Sequence, residues 1–349
     1  MSGTSVDRTV REGVMLDVAV IGGGRSAEHE VSLASAAAVA AGLDRDRYRV
    51  HEFTIDPDGG WRHPIIGSID AAVAMAGIAA CDVAIPMLHG PNGEDGTLAG
   101  LLELIGVPYV GSGVRAGALA MDKWATKLVA QAVGIPVAPG RLLTATNRAA
   151  GDWNGPVVVK PASCGSSRGV TLVRDPAQLA SAIDHALEFD DRVLLEQFVV
   201  GREVDLAVLC GPGGASTPAP ALEITRADIF GFDEKYGGGA QFTVPAAIPD
   251  EDLWMLRAHA TRIAEALGCR GIIRADFFLT EDGPVLGEVN TTPGFTAQSQ
   301  VPRMFAAAGV DYAALLDLLI SSALPDPALP DPAPFATLGD KRPTLEVRA

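Results

Sequence analysis

The first third of the chain alternates short apolar runs with alanine-rich stretches. Val18-Ala19-Val20-Ile21 is a continuous apolar run that ends in three glycines. Residues 31–43 have the content and spacing of a helix, 50–55 read as a second strand and 83–87 as a third. Strands that are apolar throughout, separated by helical crossovers, predict a parallel sheet with helices on both faces. After Met121 the pattern changes. Strands at 157–160 and 193–196 flank a helix near 177–188. Further strands are expected at 206–209, 272–279 and 285–289, then a helix at 312–321. The chain reads as three α/β units in series, with no internal repeat.

The two ends differ from this. Residues 1–12 are polar, and 324–348 repeat Pro-Asp-Pro and Pro-Ala-Pro, which neither continue a helix nor fill a sheet. The folded part is therefore expected at about 15–324. Against 27 Lys and Arg stand 43 Asp and Glu, a formal charge of −16 with pI near 4.7. No basic cluster offsets this balance, so no nucleic-acid partner and no anionic membrane surface are expected. Cys81, Cys164, Cys210 and Cys269 are far apart and form no C-x-x-C pair, so they read as reduced thiols. The N-terminus lacks the apolar core of a signal peptide, and no stretch of about 20 apolar residues is present. A soluble, cytoplasmic protein is the expectation.

Four segments carry candidate chemistry. Gly22-Gly23-Gly24-Arg25-Ser26-Ala27 follows the first strand and precedes a helix. It fits G-x-G-x-x-A, where bare backbone and a helix N-terminus receive a pyrophosphate. A nicotinamide site also needs an acid closing the second strand about 20 residues on; the nearest, Asp56, lies about 30 away. The alternatives are a plain turn, or a turn that aims Glu28 into a ligand cleft. His89-Gly90-Pro91-Asn92-Gly93-Glu94-Asp95-Gly96 is richer in glycine and charge than a connector needs, and a site is expected there.

Lys160-Pro161-Ala162-Ser163-Cys164-Gly165-Ser166-Ser167-Arg168-Gly169 is a strand-end lysine followed by small residues. Such a loop can set N–H groups and hydroxyls against phosphate oxygens; a surface loop is the plain alternative. It is not a Walker A sequence, since no Gly-Lys-Ser/Thr opens a helix. In Arg274-Ala275-Asp276 and Glu288-Val289-Asn290 the acids interrupt two apolar strands joined by a turn at 281–284. A hairpin would bring Asp276 near Glu288, with Asn290 on the same face as Glu288. Two carboxylates and an amide oxygen are hard ligands for Mg²⁺; a salt bridge from Arg274 to one acid is the bland reading. Tyr236 lies in a glycine-rich stretch, 233–239, that reads equally as a lid or a linker. His29, His51, His63, His185 and His259 lack partners at ligand spacing.

Taken in order, these motifs resemble those of the D-alanine–D-alanine ligases of the ATP-grasp superfamily, over roughly 16–322. The resemblance rests on Gly-Gly-Arg-Ser-Ala-Glu-His-Glu-Val-Ser from 23, His-Gly-x-x-Gly-Glu-Asp-Gly from 89 and Met-Asp-Lys ending at Lys123. It continues with Lys-Pro-x-x-x-Gly-Ser-Ser from 160, Glu-Lys-Tyr from 234, Arg-x-Asp from 274 and Glu-Val-Asn-Thr-x-Pro-Gly-Phe-Thr from 288. It implies an α/β ATP-grasp fold with an N-terminal parallel-sheet, substrate-binding domain at 16–122, a central domain at 123–199 and a catalytic domain at 200–323. An N-terminal extension, 1–15, and a proline-rich tail, 324–349, lie outside these.

The implied activity joins two D-alanines through an acyl phosphate, at the expense of ATP, for peptidoglycan. The resemblance implies that Lys123, Lys160, Ser167 and Lys235 hold the phosphates, Glu196 and Val199 the adenine edge and Glu203 the ribose. It implies two Mg²⁺ ions, with Mn²⁺ as a substitute, on Asp276, Glu288 and Asn290. Glu28 would take the first ammonium with His89 nearby, and Ser166 and Tyr236 would join Glu28 in a chain that closes the lid. Arg274 and the Gly294 amide would face the oxyanion, and Ser299, beside Gln300, the second carboxylate. A homodimer is also implied. Departures from the family are Arg168 and Ser163-Cys164 in the phosphate loop, Ala99 in place of a usual Gln, and Gln300 where Leu or Met is expected. A depsipeptide ligase using D-lactate, or an ATP-grasp ligase for other amino acids, is the alternative; a non-catalytic ATP sensor is disfavoured by the intact metal-ligand set.

Overall fold

The computed structural model describes residues 15–148, 155–211, 216–225 and 241–324. The first sheet contains β1 (Leu16–Gly23), β2 (Tyr48–Ile55), β3 (Trp61–His63), β4 (Gly67–Ile69) and β5 (Val83–Pro86) in the order β4-β3-β2-β1-β5. β1 pairs parallel with β2 and β5, as the unbroken apolar runs require. Both its faces are covered. Val18 and Val20 pack with Val39 of α1 (His29–Gly42) and with Leu315 and Leu319 of the C-terminal helix. Ala19 and Ile21 pack on the other side with Ile78 of α2 (Ala71–Ala79) and Leu102 of α3 (Thr97–Ile105). The antiparallel β3–β4 hairpin was not expected. Its strands are only three residues long, too short for any period to show.

Helices α4 (Val114–Met121) and α5 (Lys123–Ala132) lead into the second sheet. Asp122 starts α5 by accepting from the amides of Trp124 and Ala125, both at 3.0 Å. This sheet, β6 (Gly140–Thr144), β7 (Val157–Pro161), β8 (Thr171–Val173) and β9 (Arg192–Gln197), has the order β6-β9-β7-β8 and is antiparallel throughout. The helix expected at 177–188 is a 3₁₀ turn, Pro176–Gln178, followed by α6 (Leu179–Ala186).

The third sheet is also antiparallel: β10 (Arg202–Cys210), β11 (Ser216–Pro218), β12 (Leu222–Thr225), β13 (Gln241–Thr243), β14 (Gly271–Thr280) and β15 (Gly283–Asn290). Helix α7 (Asp250–Leu267) covers one face with Leu256, Ala260, Ile263, Ala264 and Leu267, a helical stripe laid on Leu206, Ile273 and Phe277. Helices α8 (Gln300–Ala307) and α9 (Tyr312–Ala323) return to the first sheet. They complete a core in which Val20 and Ile85 of that sheet share one cluster with Ala207 and Ile272 of the third. Among the described residues no single helix is long and apolar enough to cross a membrane.

Candidate functional site

Loops after β1, β5 and β7 converge on Glu28. The glycines ending β1 take left-handed backbone, with φ of 83° at Gly23 and 105° at Gly24. Asp56, the acid a nicotinamide site would use, is instead held by Arg62 at 2.8 Å. Gly165 and Gly90 both lie against Glu28; a Cβ on Gly165 would come within 2.6 Å of its Oε2. Glu28 accepts a hydrogen bond from the Ser166 hydroxyl. Ser26 donates to the His89 carbonyl at 2.7 Å and accepts from the Glu28 amide at 3.2 Å. Three loops distant in sequence are thus joined around one carboxylate.

His89 is 4% exposed. Its Nδ1 lies 2.8 Å from the Thr292 carbonyl and its Nε2 2.8 Å from Ser35 Oγ. Burial pushes its pKa down, but Glu94, helped by the Thr292 carbonyl, more than reverses this. Ser35 also accepts from the Phe295 amide at 3.2 Å, which ties α1 to the loop that carries Gly294. Ser299 lies against Gly294, where a Cβ would stand 3.3 Å from its hydroxyl. Its Oγ accepts from the Thr296 amide at 3.0 Å. Gln300 is the first residue of α8 and half-buried.

The loop after β7 turns sharply. Ser166 and Ser167 have φ of 51° and 55°, followed by Gly169 at 68°. Two consecutive non-glycine residues in the left-handed region are uncommon and cluster at ligand-holding sites. Arg168, the unusual residue here, is exposed and stacks over the Phe189 ring at 5.5 Å. Lys123 donates to the Cys164 carbonyl at 2.6 Å and lies 3.6 Å from Glu288. Lys160 at 2.5 Å and Lys127 at 2.7 Å share the carboxylate of Glu196. Burial raises the Glu196 pKa, but Lys160 and Lys127 together hold it below the ordinary value. Burial pushes Lys127 below its own ordinary value, against the pull of Glu196. Val199 lies in the half-buried link between β9 and β10, and Glu203 is half-buried on β10.

The acids of the third sheet owe their common face to a bulge. Near the turn Thr280 pairs with Gly283 and Phe277 with Leu286, a register that would set Asp276 opposite Gly287. The register shifts between Asp276 and Phe277, so Asp276 faces Glu288 and Arg274 faces Asn290. Without that extra residue Glu288 and Asn290 would point to the other side of the sheet. Arg274 grips Asp276 with two bonds of 2.6 and 2.7 Å and lies 3.5 Å from Asp205. Burial opposes the Arg274 charge, yet Asp276, Asp205 and Glu288 hold its pKa above the usual value. The Asn290 amide nitrogen donates to Asp276 at 3.0 Å, which leaves its oxygen as the hard ligand.

The Arg274–Asp276 salt bridge is present, and Glu288 and Asn290 share its face of the sheet. Among the described residues no group of three or more His, Cys, Asp and Glu is placed to hold a metal. An ion here needs the Asn290 oxygen together with phosphate or water oxygens, the usual mode for Mg²⁺. Glu94, Lys123, Gly165, Glu288, Asn290 and Thr291 line one cleft. Lys235 and Tyr236 lie outside the described residues. Sequence reasoning missed Lys127, Ser35 and Asp205. Asp205 had a signal, a lone acid within the apolar run 204–210.

Known proteins give the comparison. A family model described as "D-ala D-ala ligase C-terminus" matches residues 129–321, and one described as "D-ala D-ala ligase N-terminus" matches 17–77 and 67–112. The D-alanine--D-alanine ligase of Nocardia farcinica is 42% identical over 350 residues, covering 88% of this chain and 96% of the relative. That of Rhodococcus opacus is 41% identical over 355 residues with the same coverage. Among solved structures, the VanG D-Ala:D-Ser ligase of Enterococcus faecalis superposes with a TM-score of 0.79 at 32% identity, covering 89% of this chain and all of that one, 100%. The Bacillus anthracis D-alanine--D-alanine ligase complexed with ATP gives 0.74 at 28% identity, covering 88% of this chain and 97% of its own.

Proposed function

The chain belongs to the D-alanine–D-alanine ligase family, and from that premise we propose how its residues divide the work of an ATP-dependent ligase that makes D-alanyl-D-alanine for peptidoglycan. Its fold is ATP-grasp. The work falls to a substrate-binding domain at 16–122, a central domain at 123–199 and a catalytic domain at 200–323. The first D-alanine is phosphorylated on its carboxylate, the amine of the second attacks the acyl phosphate, and phosphate leaves from a tetrahedral intermediate.

Glu28 takes the first ammonium, with His89 bracing the loop beside it. Lys123, Lys160 and Ser167, with Lys235, hold the phosphates, while Glu196, Val199 and Glu203 line the nucleoside end. Both carboxylate oxygens of Glu196 face lysines, so it is the backbone of Glu196, not its carboxylate, that lines that end. Asp276, Glu288 and Asn290 would hold two Mg²⁺ ions, or Mn²⁺, which supply neutralisation of charge on the transferred phosphoryl group. Arg274 and the Gly294 amide face the developing oxyanion. Ser299 and Gln300 receive the second substrate's carboxylate. Tyr236 completes a chain with Glu28 and Ser166 that shuts out water, which would otherwise hydrolyse the acyl phosphate. A cytoplasmic homodimer is the assembly proposed.

One observation carries this reading. Ser166, in the loop suited to phosphate, is bonded to Glu28, suited to an ammonium, so nucleotide and amino-acid sites are one connected unit. The test is incubation with ATP, Mg²⁺ and a panel of D-amino and D-hydroxy acids, with products read by mass. D-Alanyl-D-alanine should dominate at pH of about 7 to 8, and the D-lactate product should gain share toward about 6 as the attacking amine is protonated. Mainly depsipeptide at pH of about 7.5 with equal substrates would refute the substrate assignment.

A further inference from the structure

Lys127 follows Lys123 by four residues on α5, so both side chains leave one face of the helix a turn apart. They do different things. Lys123 meets the phosphate-loop carbonyl of Cys164 and lies near Glu288. Lys127 reaches one oxygen of Glu196 at 2.7 Å, while Lys160 holds the other at 2.5 Å. The side chains of Lys127, Glu196 and Lys160 are 4%, 8% and 12% exposed. Among the described residues, two buried ammonium groups thus share one buried carboxylate, which leaves one positive charge in excess.

A structural ion pair needs only one cation for each acid. A second buried ammonium adds a desolvation cost that its half-share of a carboxylate does not offset. The arrangement becomes balanced when an anion arrives, and Lys160, the most open of the three, is the group it meets. We propose that Lys127 is a positioning residue for nucleotide binding: it keeps Glu196 neutralised, so that Lys160 can leave the carboxylate for the incoming phosphates. Lys127 itself touches no substrate. Without it, Glu196 and Lys160 form a closed pair, and the nucleotide must strip a buried carboxylate of its only cation. This inference rests on the reading of the cleft as a nucleotide site.

The test measures ADP affinity by titration calorimetry in the presence of Mg²⁺, with melting curves to confirm folding. K127M should weaken ADP binding at least about tenfold, roughly 1.4 kcal/mol, and K127R should restore it to within about threefold of wild type. K127M/E196Q, which has no acid left to trap Lys160, should regain most of the lost affinity. A merely structural lysine would show no such recovery. In turnover, K127M should raise KM for ATP by the same factor and leave KM for D-alanine unchanged. Equal ADP affinity in K127M and wild type, or a double variant no better than K127M, overturns the proposal. Should K127M fail to fold, the double variant carries the test, supporting the proposal with near-wild-type affinity and overturning it without. A wild type that binds no ADP would instead bring down the nucleotide reading itself.

Discussion

Ser35→Ala is the most informative small change in the molecule. Ser35 is fully buried on α1, and its hydroxyl oxygen serves both the Phe295 amide, at 3.2 Å, and His89 Nε2, at 2.8 Å. His89 Nδ1 donates to the Thr292 carbonyl at 2.8 Å, so this nitrogen carries a proton and the ring orientation is fixed. The alanine variant leaves an amide and a ring nitrogen without partners in a site water does not reach. Each such orphan costs about 1–3 kcal/mol, and alanine returns a few tenths through its higher helix propensity, roughly 0.4 kcal/mol. A loss of about 2–5 kcal/mol follows, which at about 2.1 cal/mol/K per residue over roughly 300 folded residues lowers Tm by roughly 3–8 °C.

The functional consequence separates this network from the nucleotide site. Phe295 follows Gly294, and His89 braces the loop against Glu28, so KM for D-alanine should rise several-fold while KM for ATP stays unchanged. Ser32→Ala is the control. It is one turn earlier, equally buried and bonded to the Met87 carbonyl at 2.5 Å, and it shares no hydrogen bond with His89 or Phe295. It should cost stability without moving either KM. Urea unfolding and steady-state kinetics on both variants decide the matter. A Ser35→Ala protein with wild-type stability, or with both KM values raised together, would refute the reasoning.

Three further outcomes are expected. Glu288→Gln should fold normally but lose ATP-dependent ligation, because a neutral amide cannot balance the charge of cations beside the phosphates; near-normal phosphate release would remove Glu288 from the metal site. Glu28→Gln should raise KM for D-alanine about tenfold or more, since the charge-assisted bond to the ammonium becomes a neutral one, with ADP affinity by calorimetry unchanged. His259, whose Nδ1 is buried with no hydrogen-bond partner among the described residues, has its pKa lowered by burial and then by Arg262. Its neutral form is favoured by folding, so its contribution is present above the ordinary value of 6.5 and is lost as pH falls through the lower folded value. His259→Leu should flatten that part of the stability profile in melting curves across about pH 5–8.

The apolar runs made the first sheet legible because a strand covered on both faces has few other ways to be written. β1 shows why: Val18 and Val20 face one core and Ala19 and Ile21 another. The β3–β4 hairpin was not legible, since its anchor is the single buried Trp61 and its tip exposes Ile65 and Ile66 at 89% and 70%. In the candidate site, Asp276, Glu288 and Asn290 stood out as polar interruptions in apolar strands. What put them on one face did not stand out. The short turn at 281–282 alone gives a register with Glu288 on the wrong side, and only the extra residue in β15 corrects it. Lys127 was invisible for a different reason. A lysine four residues after another on a helix reads as a solvated charge, and nothing local says that a glutamate 69 positions on will bury it.

The charges of the cleft are held against one another. Arg274 grips Asp276, Lys123 lies by Glu288, and Lys160 and Lys127 share Glu196. Bare buried charges would each carry a desolvation cost of several kcal/mol, so a cleft that must stay folded between turnovers needs such partners. Ligand binding then works by exchange. On the proposed reading, phosphate oxygens would replace the carboxylate at Lys160, and cations held by Asp276, Glu288 and Asn290 would take over part of the charge that Arg274 now balances at Asp276. Each charge has a partner before the exchange and after it, so the net cost is small although the individual interactions are strong. The same logic connects the bulge with the shared glutamate: the first sets Glu288 and Asn290 beside Asp276, and the second holds Lys160 at the edge of the cleft.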